Sequence, residues 1–74
     1  MKKGVELMRF CVNTKAQANG DHEVHRATCG WLPSEDNRKY LGVFATSQEA
    51  VREAKKYYTR ADGCYHCCPE SHTS

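Results

Sequence analysis

Two short clusters, His25-Arg26-Ala27-Thr28-Cys29 and Cys64-Tyr65-His66-Cys67, limit what this chain can fold into more than any other feature. A Cys-x-x-Cys turn sets two sulfurs on one side of a tight loop, separated by one edge of the tetrahedron that surrounds zinc. A His-x-x-x-Cys segment at a strand end can supply the opposite edge. Structural zinc sites accept thiolate sulfur and neutral imidazole nitrogen and are four-coordinate. The spacing therefore predicts one structural Zn2+ held by His25, Cys29, Cys64 and Cys67. Three thiolates and one imidazole leave such a site with a net charge of about −1.

The need for a staple follows from size. Of 74 residues, 39% are hydrophobic with the five cysteines included, which is material for one small core. Such a core contributes only ~3–5 kcal/mol unaided. A metal that joins two distant segments removes entropy from the unfolded chain and adds what is missing. We expect a single zinc-binding domain over residues 1–74, ordered over about 5–68, with 69–74 as a frayed tail. No window approaches the roughly 18 consecutive apolar residues of a membrane span. Aromatic and branched residues at a net charge of only +2 argue against disorder.

Met1-Lys2-Lys3 looks like the start of a signal peptide, but Glu6 and Arg9 interrupt the stretch that follows, so no apolar h-region forms. The expected compartment is the reducing cytoplasm, where clustered cysteines are more often metal ligands or reactive thiols than disulfides. An odd count of five cysteines agrees with that expectation. Two other readings stand beside the metal. Cys64 and Cys67 would suit a redox dithiol, although that motif usually opens a helix and here follows one. The thiols could also be oxidised, or simply buried without metal. Cys68 directly follows Cys67 and should point away from it, either packing or staying free. His66 should face outward from the turn. Either His22 or His72 could compete with His25, but neither has its spacing to a cysteine. Cys11, opposite Met8 and Phe10, reads as a small buried residue.

The predicted fold class is α+β, a small three-stranded antiparallel-type sheet with one helix packed on it. The strands are expected at Val5 to Val12, at Glu23-Val24-His25, and at Tyr40 to Phe44 with Gly42 marking a bulge. Trp31-Leu32-Pro33 and Ser34 to Lys39 read as a loop with an apolar anchor, Trp31 preferring the core. Thr46 and Glu49 have capping-box spacing, with Ser47 as the alternative cap. Ala50, Val51, Ala54, Tyr57, Tyr58 and Ala61 form a helical apolar stripe, which Asp62-Gly63 ends, with Gly63 in a left-handed cap.

With these residues in view, the chain resembles the zinc-binding domain of the Ada DNA-repair protein and its small Ada-like relatives, from about Phe10 to Pro69. The resemblance rests on Val12-Asn13, His25-x-x-x-Cys29, Val43-Phe44 before Ser47-Gln48-Glu49-Ala50, and Gly63-Cys64-x-x-Cys67 with Pro69 after one extra residue. It implies a three-stranded sheet and a helix, with zinc between a strand end and the turn after the helix. The Ada domain uses four cysteines, the first of which accepts a methyl group from a DNA phosphotriester. That position is His25 here, and an imidazole cannot reproduce the attacking zinc-bound thiolate. The family's Arg-Pro before the cysteine is also replaced, by Asp62-Gly63, and the Ser34–Lys39 loop is extended.

The function expected is thus a small, non-enzymatic, zinc-stabilised binding module. Arg52, Lys55, Lys56 and Arg60 lie along one side of the predicted helix and would suit the phosphates of DNA or RNA. Arg26, Arg38 and Lys39 would extend the patch, and Trp31, Tyr57, Tyr58 or Tyr65 would stack on bases if exposed. The plain alternative is a solvated helix face with Tyr57 and Tyr58 in the core; Glu49 and Glu53 dilute the basic side. The other readings are a metal-free or structural domain that contacts protein through Trp31-Leu32-Pro33, and a thiol enzyme using Cys64, Cys67 or Cys68. No general base or phosphate-binding glycine loop accompanies those thiols.

Overall fold

The period-two run Met8, Phe10, Val12 forms strand β1 (Met8–Asn13) in the computed structural model, which describes residues 6–73. The chain continues through β2 (His22–Arg26), β3 (Arg38–Phe44), helix α1 (Ser47–Ala54) and β4 (Ala61–Gly63), with short 3-10 turns at Glu35–Asn37 and Pro69–Ser71. Met1 to Val5, including the basic start and the first residue of the expected strand, lie outside the described residues, as does Ser74.

The sheet order is β3-β1-β2-β4, with β1 antiparallel to β2 and β3, and β2 parallel to β4. The fold is α+β with one helix, as expected, but the sheet is mixed and has four strands rather than three antiparallel ones. The additional strand, β4, has no β-branched or aromatic residue. Its extended conformation comes from its neighbour and not from local preference. His22 donates its amide to the Arg60 carbonyl at 2.7 Å and Cys64 donates to Val24 at 2.9 Å, one bond at each end of the parallel pair. The expected irregularity near Gly42 is present: the β1–β3 register shifts between Phe10, opposite Gly42, and Cys11, opposite Tyr40.

Helix α1 starts where the capping box places it. The Glu49 amide donates to Thr46 Oγ1 at 3.2 Å, and Glu49 Oε1 accepts from the Thr46 amide at 3.1 Å. Its buried residues Ala50, Val51 and Ala54 pack on Phe10, Val12 and Val24, with Cys68 completing the core. The helix ends at Ala54, seven residues before the predicted end of the stripe at Ala61. The amides of Tyr57 and Tyr58 both reach the Ala54 carbonyl at 2.9 Å, so the chain turns tightly there. Tyr57, Tyr58 and Thr59 are weak helix formers, and the Tyr58 ring is instead stacked on His22, 3.9 Å between centroids.

Gly63 is therefore not a helix cap, and its backbone is not left-handed. It is a point of close approach: a Cβ there would lie 2.9 Å from the Cys68 carbonyl oxygen and 3.0 Å from the Ser71 backbone. What crowds it is the segment expected to be a tail. Residues 69–73 are held by hydrogen bonds and not frayed: Ser71 is buried and its hydroxyl donates to Ser47 Oγ at 3.0 Å, while the Ser47 hydroxyl donates to the Glu70 carboxylate. The Thr73 amide and hydroxyl both donate to Asp62 Oδ1, at 3.0 and 2.9 Å. The Ser34–Lys39 loop is likewise shorter than expected, because Arg38 and Lys39 belong to β3.

Two outcomes follow for stability. Thr46→Ala removes one half of the capping box and should cost about 1 kcal/mol in chemical denaturation. The hydrogen bond from Ser47, aided by the Arg26 guanidinium 3.7 Å away, holds the Glu70 carboxyl below its ordinary value of 4.5. A depressed carboxylate stabilises the fold above its unfolded pKa, and that stabilisation is lost as pH falls through the folded pKa. Glu70→Gln should therefore be less stable than the parent at neutral pH, the difference closing in acid; thermal unfolding of both across pH 3–7 (roughly the span of carboxylate titration) measures it.

Candidate metal centre

Strand β2 carries His25 to the sheet end, and the turn after it returns Cys29, whose amide donates to the Arg26 carbonyl at 2.9 Å. Strand β4, alongside β2, delivers Cys64 to the same place, and the following turn brings Cys67 back, closed by the Cys68 amide on the Cys64 carbonyl at 2.8 Å. The four predicted ligands converge: one ligand atom from each of His25, Cys29, Cys64 and Cys67 lies within 4.8 Å of every other. The Cys29 and Cys64 sulfurs are 4.0 Å apart. That is near the ~3.8 Å edge of a tetrahedron with metal–sulfur bonds of about 2.3 Å and far beyond a disulfide bond. All five cysteines are free.

The donor set fits a metal on a more specific observation. His25 is buried and its Nδ1 has no hydrogen-bond partner, whereas its Nε2 lies 3.1 Å from Glu23 Oε1. A buried ring nitrogen without a partner is costly. A carboxylate on the far nitrogen is the arrangement that fixes the tautomer of a ligating histidine and raises its basicity. Burial lowers the His25 pKa against the opposing pull of Glu23, so the imidazole is neutral and offers a lone pair at Nδ1. Glu23 was not among the residues singled out from the sequence. The available signal was its i, i+2 relation to His25, which puts both on one face of a strand.

Each candidate ligand sulfur also accepts at least one backbone amide: Trp31 N–H to Cys29 at 3.4 Å, His66 N–H to Cys64 at 3.3 Å and Arg26 N–H to Cys67 at 3.3 Å. Burial pushes the Cys64 and Cys67 thiols up, and these amides only partly oppose it. Protein atoms alone would thus keep these two thiols protonated at neutral pH. A divalent cation would displace the protons and make thiolates of them.

The remaining sulfur and imidazole groups sort by packing. Cys68 is buried in the core but does not point away from Cys67 as expected: the two sulfurs are 3.5 Å apart, with Cys68 outside the four-residue cluster. Cys11 is buried as expected, and burial raises its pKa. His22 Nδ1 donates to the Asn13 carbonyl at 3.0 Å, and His72 Nδ1 donates to the Gly63 carbonyl at 3.0 Å. Trp31 departs from its expected place in the core: it is 65% exposed. Its ring lies parallel to that of His66, 4.4 Å away, joining the two ligand-bearing loops above the cluster. Tyr65 meets both His66 and His72 edge-on at 5.4 Å.

The four basic residues predicted along one helix side are not arranged that way. Only Arg52 lies within α1; Lys55 and Lys56 are in the turn that ends it, and Arg60 lies just before β4. Lys56 pairs with Glu53 at 3.0 Å and Arg60 with Asp21 at 3.2 Å, while Arg52 and Lys55 are exposed. Arg26, Arg38 and Lys39 are engaged with Glu70, the Pro33 carbonyl and the Tyr57 ring respectively. Among the described residues, no helix is long and apolar enough to cross a membrane.

Comparisons with protein-family models, with curated proteins and with solved structures return no match to this chain.

The Glu23 contact gives a direct expectation. Glu23→Gln keeps the side-chain shape and removes the charge on the His25 ring. Metal affinity, measured by competition with a chromophoric chelator, should fall about 10–100-fold with the fold retained at saturating metal.

Proposed function

We propose that this chain is a small, non-enzymatic binding module folded around one structural Zn2+, with His25 Nδ1 and the sulfurs of Cys29, Cys64 and Cys67 as ligands. The observation that carries this reading is the orphaned, buried Nδ1 of His25 among three sulfurs, with Glu23 on its far nitrogen. Soft thiolates with one imidazole in a four-donor set favour zinc over the oxygen-seeking cations. Four protein donors leave no open position for substrate, which marks a structural zinc site and not a catalytic one.

The remaining thiols support the non-enzymatic reading. Cys68 is fully buried and its thiol is pushed up by that burial, the opposite of an activated nucleophile. A remote relationship to the Ada zinc domain is part of this proposal. With His25 at the methyl-accepting position, the relationship would extend to metal-held architecture without suicidal methyl transfer. Three cysteine ligands that must stay reduced belong in a reducing compartment, and we assign the chain to the cytoplasm on that ground.

Elemental analysis of the purified chain should give one zinc per molecule. A strong chelator should remove it together with the folded far-UV spectrum, and Cys64→Ser should bind zinc much more weakly. Because the thiols must lose their protons to bind, zinc affinity should fall steeply as pH is lowered from 7 towards about 5. A chain that is fully folded after exhaustive zinc removal would refute the staple.

A further inference from the structure

At the other end of β2 from Cys29, His22, Tyr57, Tyr58, Thr59 and Arg60 line a cleft of about 320 Å3. We propose that this cleft binds single-stranded nucleic acid, an unpaired base lying against its tyrosines and backbone phosphates against the cations around it. The inference rests on the binding-module reading, whose partner it names.

The aromatic part is held in place. His22 is fixed by its bond to the Asn13 carbonyl, and Tyr58 lies parallel to it at 3.9 Å and 15°. Tyr57, at the rim, is 54% exposed although the Lys39 ammonium sits 4.3 Å from its ring centroid. An exposed, oriented ring among cations is what a sequence-tolerant single-strand site uses, since every base has a π-face. The cleft volume lies at the lower end of small-ligand sites, about 300–1,000 Å3, which suits one base and not a folded partner.

The charge is placed as well. Arg60 lies against the turn at Gly20, whose φ of +92° suits glycine; a Cβ there would come within 2.7 Å of Arg60 Nη1. Asp21 holds the guanidinium at 3.2 Å, yet the side chain remains 62% exposed. Lys39 stands over the Tyr57 ring, and Lys55 and Lys56 directly precede Tyr57 in the chain, Lys56 being paired with Glu53. Lys39, Lys55 and Lys56 stand outside the cleft lining, so a strand running on from the cleft would use cations that a mononucleotide would not reach.

The test uses the zinc-reconstituted full chain and fluorescence anisotropy with a labelled oligothymidylate of about ten nucleotides, comparable with known single-strand site sizes. Binding should weaken with salt, log affinity falling by about 0.7 per decade for each phosphate contacted. Tyr57→Ala should weaken binding about ten-fold or more, while Tyr57→Trp should retain it. The double variant Lys55→Glu, Lys56→Glu should weaken binding and flatten the salt dependence. The proposal is overturned by no binding at low salt from a chain with full zinc content, by an unchanged Tyr57→Ala affinity, or by duplex DNA, thymidine monophosphate or polyglutamate competing as well as the single strand. Zinc content is measured separately: a zinc-loaded, folded chain that ignores the oligonucleotide sinks the cleft and leaves the metal reading standing.

Discussion

The parallel pairing of Ala61–Gly63 with His22–Val24 is the contact on which the rest of the molecule depends. It sets Cys64 beside the strand that presents His25, through the amide of Cys64 on the Val24 carbonyl. A parallel neighbour cannot be reached by a tight hairpin. The chain instead leaves β2, passes through β3 and α1, and returns along the opposite edge of β2 from β1. The helix is thereby laid across one sheet face. The residue that closes β4, Gly63, has no side chain to keep away the turn that carries Cys68 and Ser71. One short pairing thus positions the four candidate ligands, the core sulfur of Cys68 and the C-terminal segment together.

The surroundings of the ligand cluster are built for concentrated negative charge. Three thiolates around a divalent ion would leave an excess of electron density in a largely buried place. Each sulfur meets at least one amide dipole, and the imidazole is polarised by Glu23. These donors come from the residues next to the ligands or two positions beyond them, so they are fixed by the same turns. The stacked rings of Trp31 and His66 bridge those turns from outside. In a chain with a thin core, this gives the two loops a direct connection besides the ligands.

The convergence of His25, Cys29, Cys64 and Cys67 was legible from the sequence because it is encoded by spacing, and spacing survives errors in the elements around it. The capping box at Thr46 and Glu49 was legible for the same reason. The helix end was not. Tyr57, Tyr58 and Ala61 continue the apolar stripe of Ala50, Val51 and Ala54, but Tyr58 turns to stack on His22, a residue 36 positions earlier. Strand β4 was hidden because Ala61-Asp62-Gly63 carries turn residues whose extended state depends on β2. Trp31 was misplaced because size suggested the core. Phe10, Val12 and Val24 already fill that core with the helix alanines, and the indole finds its partner in His66.

That last contact has an optical consequence. The chain has a single tryptophan, and it stacks on a histidine that lies between two of the cysteine ligands. Indole emission from this protein therefore comes from one place, where the two halves of the ligand cluster meet. The ring is exposed enough to respond to solvent, and it is near enough to the cluster for its spectrum to change when the loops part. Any metal taken up between these loops could be followed in real time by the protein's own light, with no label attached.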